Sequence, residues 1–136
     1  MAETDLATLI RAMNPRLAPG VFVFATVPAI PAGLAPLMIF REAEGTTLIL
    51  PREDAEGLHA TFPSRMITLE IHSSLDAVGF LAAITARLAE AGMPVNPVSG
   101  FFHDHLFVPE DRADEAMAVL TGMASGTGNA DSFTPT

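Results

Sequence analysis

The sequence predicts an α+β fold made of two related modules packed together, and three observations carry that reading. The first is an internal echo. Leu48-Ile49-Leu50-Pro51-Arg52-Glu53-Asp54-Ala55 and Leu106-Phe107-Val108-Pro109-Glu110-Asp111-Arg112-Ala113 share one form, a strand, a proline, an acidic helix start and an alanine, spaced 58 residues apart. Two copies of a strand-hairpin-helix unit explain such a repeat. The second is the order of signals after Pro63, which reads β-α-β-β-α. The third is size: 136 residues, 49% hydrophobic and 17% charged, form one compact domain or two very small modules sharing a core. A chain of this length buries about 65–70% of its unfolded surface.

Each element has a local cause. Thr4 is placed to cap a short helix carrying Leu6, Leu9, Ile10 and Met13 on one face. Asn14-Pro15 stops it, because the residue before proline avoids the α region. Val21–Val27 is a β-rich run. Pro28, Pro31, Gly33 and Pro36 make an irregular connection. Leu37–Phe40 and Thr46–Leu50 read as a hairpin turning through Arg41-Glu42-Ala43-Glu44-Gly45, and Pro51 opens a short helix. From Ile67 to His72, apolar and polar residues alternate as in a half-buried strand. Ser73 and Asp76 have capping-box spacing, and Ala77, Phe80, Leu81, Ile84, Leu88 and Ala91 share a helical face. Gly92 and Pro94 end that helix. Val95–Phe102 and Leu106–Val108 form a second hairpin around His103-Asp104-His105. A last helix opens at Pro109 and carries Ala113, Ala116, Met117 and Leu120 on one face.

The second half therefore has a ferredoxin-like order that lacks its last strand. The first half is the same unit with its first helix reduced to the proline-rich connection. The strand near residues 66–72 finishes one sheet while starting the other. The expected divisions are a first module over 1–63, a second over 64–123, and a flexible tail over 124–136 that is rich in Gly, Ser and Thr.

Charge narrows the functional classes. The chain has no Lys and no Cys, and its net charge is −9. That opposes a general nucleic-acid binder, which needs a basic footprint, and an anionic membrane surface. Without Lys there is no Schiff base and no P-loop. Without Cys there is no disulfide, thiol catalysis or thiolate metal site. No apolar run reaches the ~18 residues of a membrane span, and the N-terminus is acidic where a signal peptide is basic. The expected compartment is the cytoplasm.

His72-Ser73-Ser74-Leu75-Asp76-Ala77-Val78-Gly79-Phe80-Leu81-Ala82-Ala83-Ile84, Gly92-Met93-Pro94-Val95-Asn96 and Phe102-His103-Asp104-His105-Leu106-Phe107-Val108-Pro109 resemble the ACT-domain superfamily, specifically its small bacterial two-module members. Asp5-Leu6, Met13-Asn14-Pro15, Val21-Phe22-Val23-Phe24 and Glu42-Ala43-Glu44-Gly45-Thr46-Thr47-Leu48 extend the resemblance into the first half, so that it covers about residues 4–123. It implies two tandem ferredoxin-like ACT modules with antiparallel sheets and helices on one face. Modules of this type build the eukaryotic arginine sensor of growth signalling and regulate amino-acid biosynthetic enzymes. Those enzymes carry a catalytic domain beside the module, for which this chain has no room.

The best small-molecule corner is Ser73-Ser74, ahead of a helix whose free N–H groups and positive dipole end attract a carboxylate. Gly79 lets a backbone or ligand approach closely. The resemblance points to Ser73, Ser74, Ala77, Val78 and Gly79 as ligand contacts. The competing reading is that Ser73 only caps the helix and Gly79 only permits packing. Asp76, as a first-turn acid, weighs against anion binding. Asn96 bonds either ligand or backbone. In His103-Asp104-His105, Asp104 is the natural partner for a ligand ammonium group, and His103 is a further contact. The alternatives are a polar turn in which Asp104 bonds backbone amides, and a metal held by His103 and His105, for which no third ligand stands at a suitable spacing. Glu70, His72, Ser73 and Asp76 do not form a triad, since adjacent residues cannot easily place a base on a hydroxyl.

The reading is a non-catalytic sensor or regulatory subunit that binds an amino acid and needs no cofactor or metal. A homodimer is expected because small sheets have open edges, with a further protein partner left open. The rivals are a pure assembly module without ligand and a metal-dependent enzyme using His103 and His105.

Overall fold

The computed structural model describes residues 4–126. Along the chain it contains α1 (Leu6–Arg11), β1 (Pro15–Leu17), β2 (Phe22–Val27), β3 (Met38–Arg41), β4 (Thr46–Pro51), β5 (His59–Leu69), α2 (Phe80–Glu90), β6 (Asn96–Ser99), β7 (Asp104–Pro109) and α3 (Ala113–Ser125). Short 3₁₀ turns follow Pro51 and Pro109, at Arg52–Asp54 and Glu110–Arg112. The strands form one antiparallel sheet in the order β3-β4-β2-β5-β7-β6, with β1 also paired to β5.

β5 joins the two halves. Its first part pairs with β2, His59 opposite Thr26 and Thr61 opposite Phe24. Its second part pairs with β7, from Ser64 opposite Pro109 to Leu69 opposite Asp104. Along the other edge of that second part runs β1, from Pro15 opposite Leu69 to Leu17 opposite Ile67. The strand missing from the second half is thus supplied by the N-terminal segment, and the first half is completed by the start of β5. The shared strand is as expected, but it spans His59–Leu69 and stops before Glu70. Pro63 suggested a break there. It is accommodated because the register with β2 shifts between Phe22 and Phe24, and Phe62 takes φ 58°. A bulge is one of the few places a sheet accepts proline.

The repeat is exact in its boundaries. β3, β4 and the first 3₁₀ turn recur 58 residues later as β6, β7 and the second turn. Arg52 Nη1 donates to Glu110 Oε2 at 3.0 Å, so a residue touches its own repeat equivalent. Phe22 and Ser64, which lie opposite the repeat-equivalent Pro51 and Pro109, also pair, and Ser64 Oγ donates to Phe22 O at 3.2 Å. Such self-equivalent contacts occur only beside the axis that relates two copies.

The helices serve the halves unequally. Leu9 and Met13 from the α1 segment, Phe80, Ile84 and Leu88 from α2, and Leu120 and Met123 from α3 pack on Ile67, Leu69, Leu106 and Val108. The first half has its own smaller core of Val23, Ala25, Val27, Leu48, Leu50 and Ala55. It is covered by Ile30, Leu34 and Leu58 from the connections, with no helix between β2 and β3.

Two helix starts differ from expectation. Asp5, not Thr4, caps α1, its Oδ2 accepting from Thr8 N at 3.0 Å. α2 starts at Phe80, seven residues beyond Ser73, for a reason given below. Its far end is closed by Arg112, which donates to the carbonyls of Ala91 and Gly92 at 2.8 Å each. α3 runs to Ser125, so the first residues of the expected tail are helical, and Gly126 ends it at φ 73°. The tail from residue 127 lies outside the described residues. Among the described residues no helix is long and apolar enough to cross a membrane.

Ile67 is fully buried where β1, β5 and β7 meet beneath the helices. Ile67→Ala is expected to destabilise the fold by about 2–5 kcal/mol, as large-to-small changes in closed cores do, measured by urea unfolding.

Candidate functional site

The strand pleat sends Asp104 to the helix-covered face of β7, with Leu106 and Val108, and His105 to the opposite face. Asp104 is buried, at 7% exposure, and its carboxylate is held by two hydroxyls. Ser99 Oγ donates to Oδ1 at 2.6 Å from across the hairpin, and Ser73 Oγ donates to Oδ2 at 3.1 Å from the loop after β5. A buried carboxylate needs such partners, because an unpaired one is expensive to desolvate.

This pair of bonds explains where α2 begins. The Ser73 hydroxyl is spent on a tertiary partner 31 residues away and does not cap a helix. Ser74 forms a local turn instead, its Oγ accepting from Asp76 N at 3.0 Å and its carbonyl from Ala77 N at 3.0 Å. The chain reaches the helix through Gly79, in the left-handed region at φ 90°, with no side chain capping the first amides. Asp76 therefore lies outside the first turn, which holds no acid. The objection it raised to anion binding is removed.

Between the serine loop, the start of α2 and Asp104 lies a cavity of about 180 Å³. Ser73, Ser74, Ala77, Gly79 and Asp104 all line it. Ser99, Leu75 and the first-turn residues Phe80, Leu81 and Ala82 also line it, and sequence reasoning did not name them. The signal for Ser99 was its position directly opposite Asp104 in the hairpin. The sequence hides it, because His103-Asp104-His105 reads as the turn. The turn runs over residues 100–103, closed by Gly100 N donating to His103 O at 2.9 Å, and Asp104 begins β7. Asp104 thus bonds side-chain hydroxyls and not turn amides.

Three expected contacts lie elsewhere. Val78 is 84% exposed and does not line the cavity. Asn96 is exposed at the far end of β6, opposite Phe107. His103 is half-buried in the turn, its ring centroid 6.4 Å from that of His105. Nor do His103 and His105 assemble a metal shell. His105 Nδ1 is bonded to Thr68 Oγ1 at 2.9 Å, and among the described residues no group of three or more His, Asp or Glu is arranged to hold a metal. Burial, helped by His103 and opposed by Asp104, holds His105 below the ordinary imidazole range. Glu70, from the discarded triad, pairs with Arg16 at 2.8 Å and Asn14 at 3.0 Å.

The cavity can hold two opposite charges. The uncapped amides of α2 offer a site for an anionic group, and the Asp104 carboxylate faces it with negative charge. Family-level comparison matches the ACT domain over residues 1–65 and again over residues 61–122. The chain belongs to the ACT-domain family, which supports a regulatory ligand-binding role in general terms.

Among solved structures it is similar to a protein of unknown function from Vibrio cholerae, described as a possible transport protein. The two are 40% identical, with 88% of this chain and 95% of that one covered, at a TM-score of 0.80. A protein from Agrobacterium tumefaciens is 19% identical over 81% of this chain and 87% of that one, TM-score 0.70. The regulatory subunit of aspartate kinase from Thermus flavus is 11% identical over 83% of this chain and 98% of that one, TM-score 0.62. The last two likenesses show a shared fold alone. No curated protein matches the chain.

A Cβ at Gly79 would meet only Leu6 Cδ2, at an ordinary 3.7 Å. For a side chain as small as alanine the constraint there is the positive φ. Gly79→Ala is expected to cost about 1–2 kcal/mol, the left-handed penalty of an L-residue, measured by chemical denaturation. Gly57→Ala, also at positive φ with open space around it, is expected to match it.

Proposed function

We propose that the chain is a non-catalytic regulatory protein that binds a free amino acid in the cavity between Ser73 and Ala82. The observation that carries this reading is the buried Asp104 carboxylate sharing one cavity with the uncapped, acid-free start of α2. The ligand ammonium group would bond Asp104, and its carboxylate the amides of the first turn. The volume, about 180 Å³, falls below the ~300 Å³ at which pockets for drug-sized ligands begin, so a small metabolite fits best. Binding would act by population shift, stabilising one arrangement of the loop over residues 70–79 that a partner then reads.

The test is a thermal-shift screen against the twenty amino acids, followed by calorimetry on any hit. A binder is expected to raise the melting temperature. Asp104→Asn is expected to weaken its binding by about 1–3 kcal/mol, the range for a hydrogen bond to a charged group. No shift with any amino acid would leave the assembly-module reading in its place.

A homodimer fits this reading, and the edge strand β3 with the residue before it provides a surface for it, since Leu37, Ile39 and Phe40 are all more than two-fifths exposed. Light scattering at micromolar concentration is expected to give twice the 14.3 kDa subunit mass. A 14.3 kDa species would remove the dimer.

A further inference from the structure

The face of the sheet that carries no helix holds a second cavity. Met38 on β3 and Val98 on β6 come from opposite ends of the strand order, five strand spacings apart. In a flat sheet they would be separated by about 24 Å. Both nevertheless line one cleft of about 240 Å³, so the sheet curls into a half-barrel around it. Ile49, Met66 and Phe107 supply the rest of its apolar wall, and His105 its titratable group. The floor is firm, because Phe22 and Phe24 pack against Phe107 in edge-on geometry at 6.0 and 5.5 Å.

We propose that this cleft is a second binding site, for a small uncharged aromatic molecule bearing a hydroxyl group, a phenol or an aryl alcohol. Size sets the lower limit. An apolar cavity of about 150 Å³ takes benzene, so this one has room for a ring and a short substituent. Met38 and Met66 flank the space with flexible, polarisable thioethers, which favour contact with an aromatic ring. Charge sets the class. No acid or arginine lines the cleft among the described residues, and burial favours the neutral form of His105. A charged ligand, a free amino acid included, would enter without a counter-ion.

The polar group follows from His105. Its Nδ1 is occupied by Thr68 Oγ1, and its Nε2 would lie 3.5 Å from a Cβ at Gly100, a residue that also lines the cleft. Nε2 donates in one neutral tautomer and accepts in the other, and a hydroxyl complements both.

The experiment is a titration of the full chain with 4-ethylphenol, followed through the methionine methyl resonances. Saturable shifts are expected at Met38 and Met66, with none at Met93 or Met123 in the helix-covered core. Ethylbenzene is expected to bind at least tenfold more weakly. His105→Phe should remove that preference, and Val98→Trp, which fills the cleft from an edge strand, should abolish binding while the variant still melts cooperatively. Should Val98→Trp fail to fold, Met38→Trp fills the same cleft from the other edge. No saturable shift in the native chain, shifts confined to the helix-covered core, equal affinity for the two compounds, or undiminished binding in the filled variant would each overturn the proposal. Asp104→Asn should leave 4-ethylphenol binding unchanged, which separates this site from the amino-acid site.

Discussion

The pairing of β5 along both edges is the constraint on which the rest of the structure rests. A strand hydrogen-bonded on one edge only would detach either the small β3-β4-β2 sheet or the two-stranded β7–β6 ladder, and a two-stranded hairpin alone is barely stable in water. By running 11 residues and meeting β2 with its first part and β7 with its second, β5 turns two incomplete sheets into one. The bulge at Phe62-Pro63 lets a single strand serve two registers, because it absorbs the offset between them where the halves meet.

From that junction the two halves diverge. Both keep the hairpin and the 3₁₀ turn with identical spacing, and Arg52 and Glu110 still touch across the axis between them. Among the described residues the helices roof the second half, and a cavity lies there where a strand end meets a helix start. In the first half the connection from residue 28 to 37, broken by Pro28, Pro31, Gly33 and Pro36, forms no helix and covers its core with Ile30 and Leu34. An asymmetric repeat thus places one helix-strand corner in the molecule where a fully symmetric one would have two.

The parts that were legible in the sequence are those set by near neighbours. Hairpin positions followed from β-rich runs and turn residues. The roofing helices followed from apolar spacing, and the repeat from the Pro-acidic motif. The parts that were not legible are set by residues far away in the chain. Nothing near Pro15 reveals that it begins a strand, because its partner is Leu69. Ser73 and Asp76 have the spacing of a helix start, but the Ser73 hydroxyl is taken by Asp104, and the helix waits until Gly79 supplies a left-handed turn. Asp104 was legible as a charged group worth watching. Its actual neighbours were not, because a shift in the turn by a few residues decides whether Ser99 faces it.

The borrowed strand also orders events during synthesis. β1 leaves the ribosome early, yet its partner near Leu69 is made more than fifty residues later. The groove that buries Leu9 and Met13 needs Leu120 of α3, close to the end of the described chain. Chains grow at about 5–20 residues per second, so the first apolar helix stays unsheltered for several seconds in every molecule made. The α1 segment is made before α3, so its burial is complete only once α3 has docked beside it. Asp5 caps that short helix and Arg11 stands in its last turn, so each end carries the charge that complements the helix dipole.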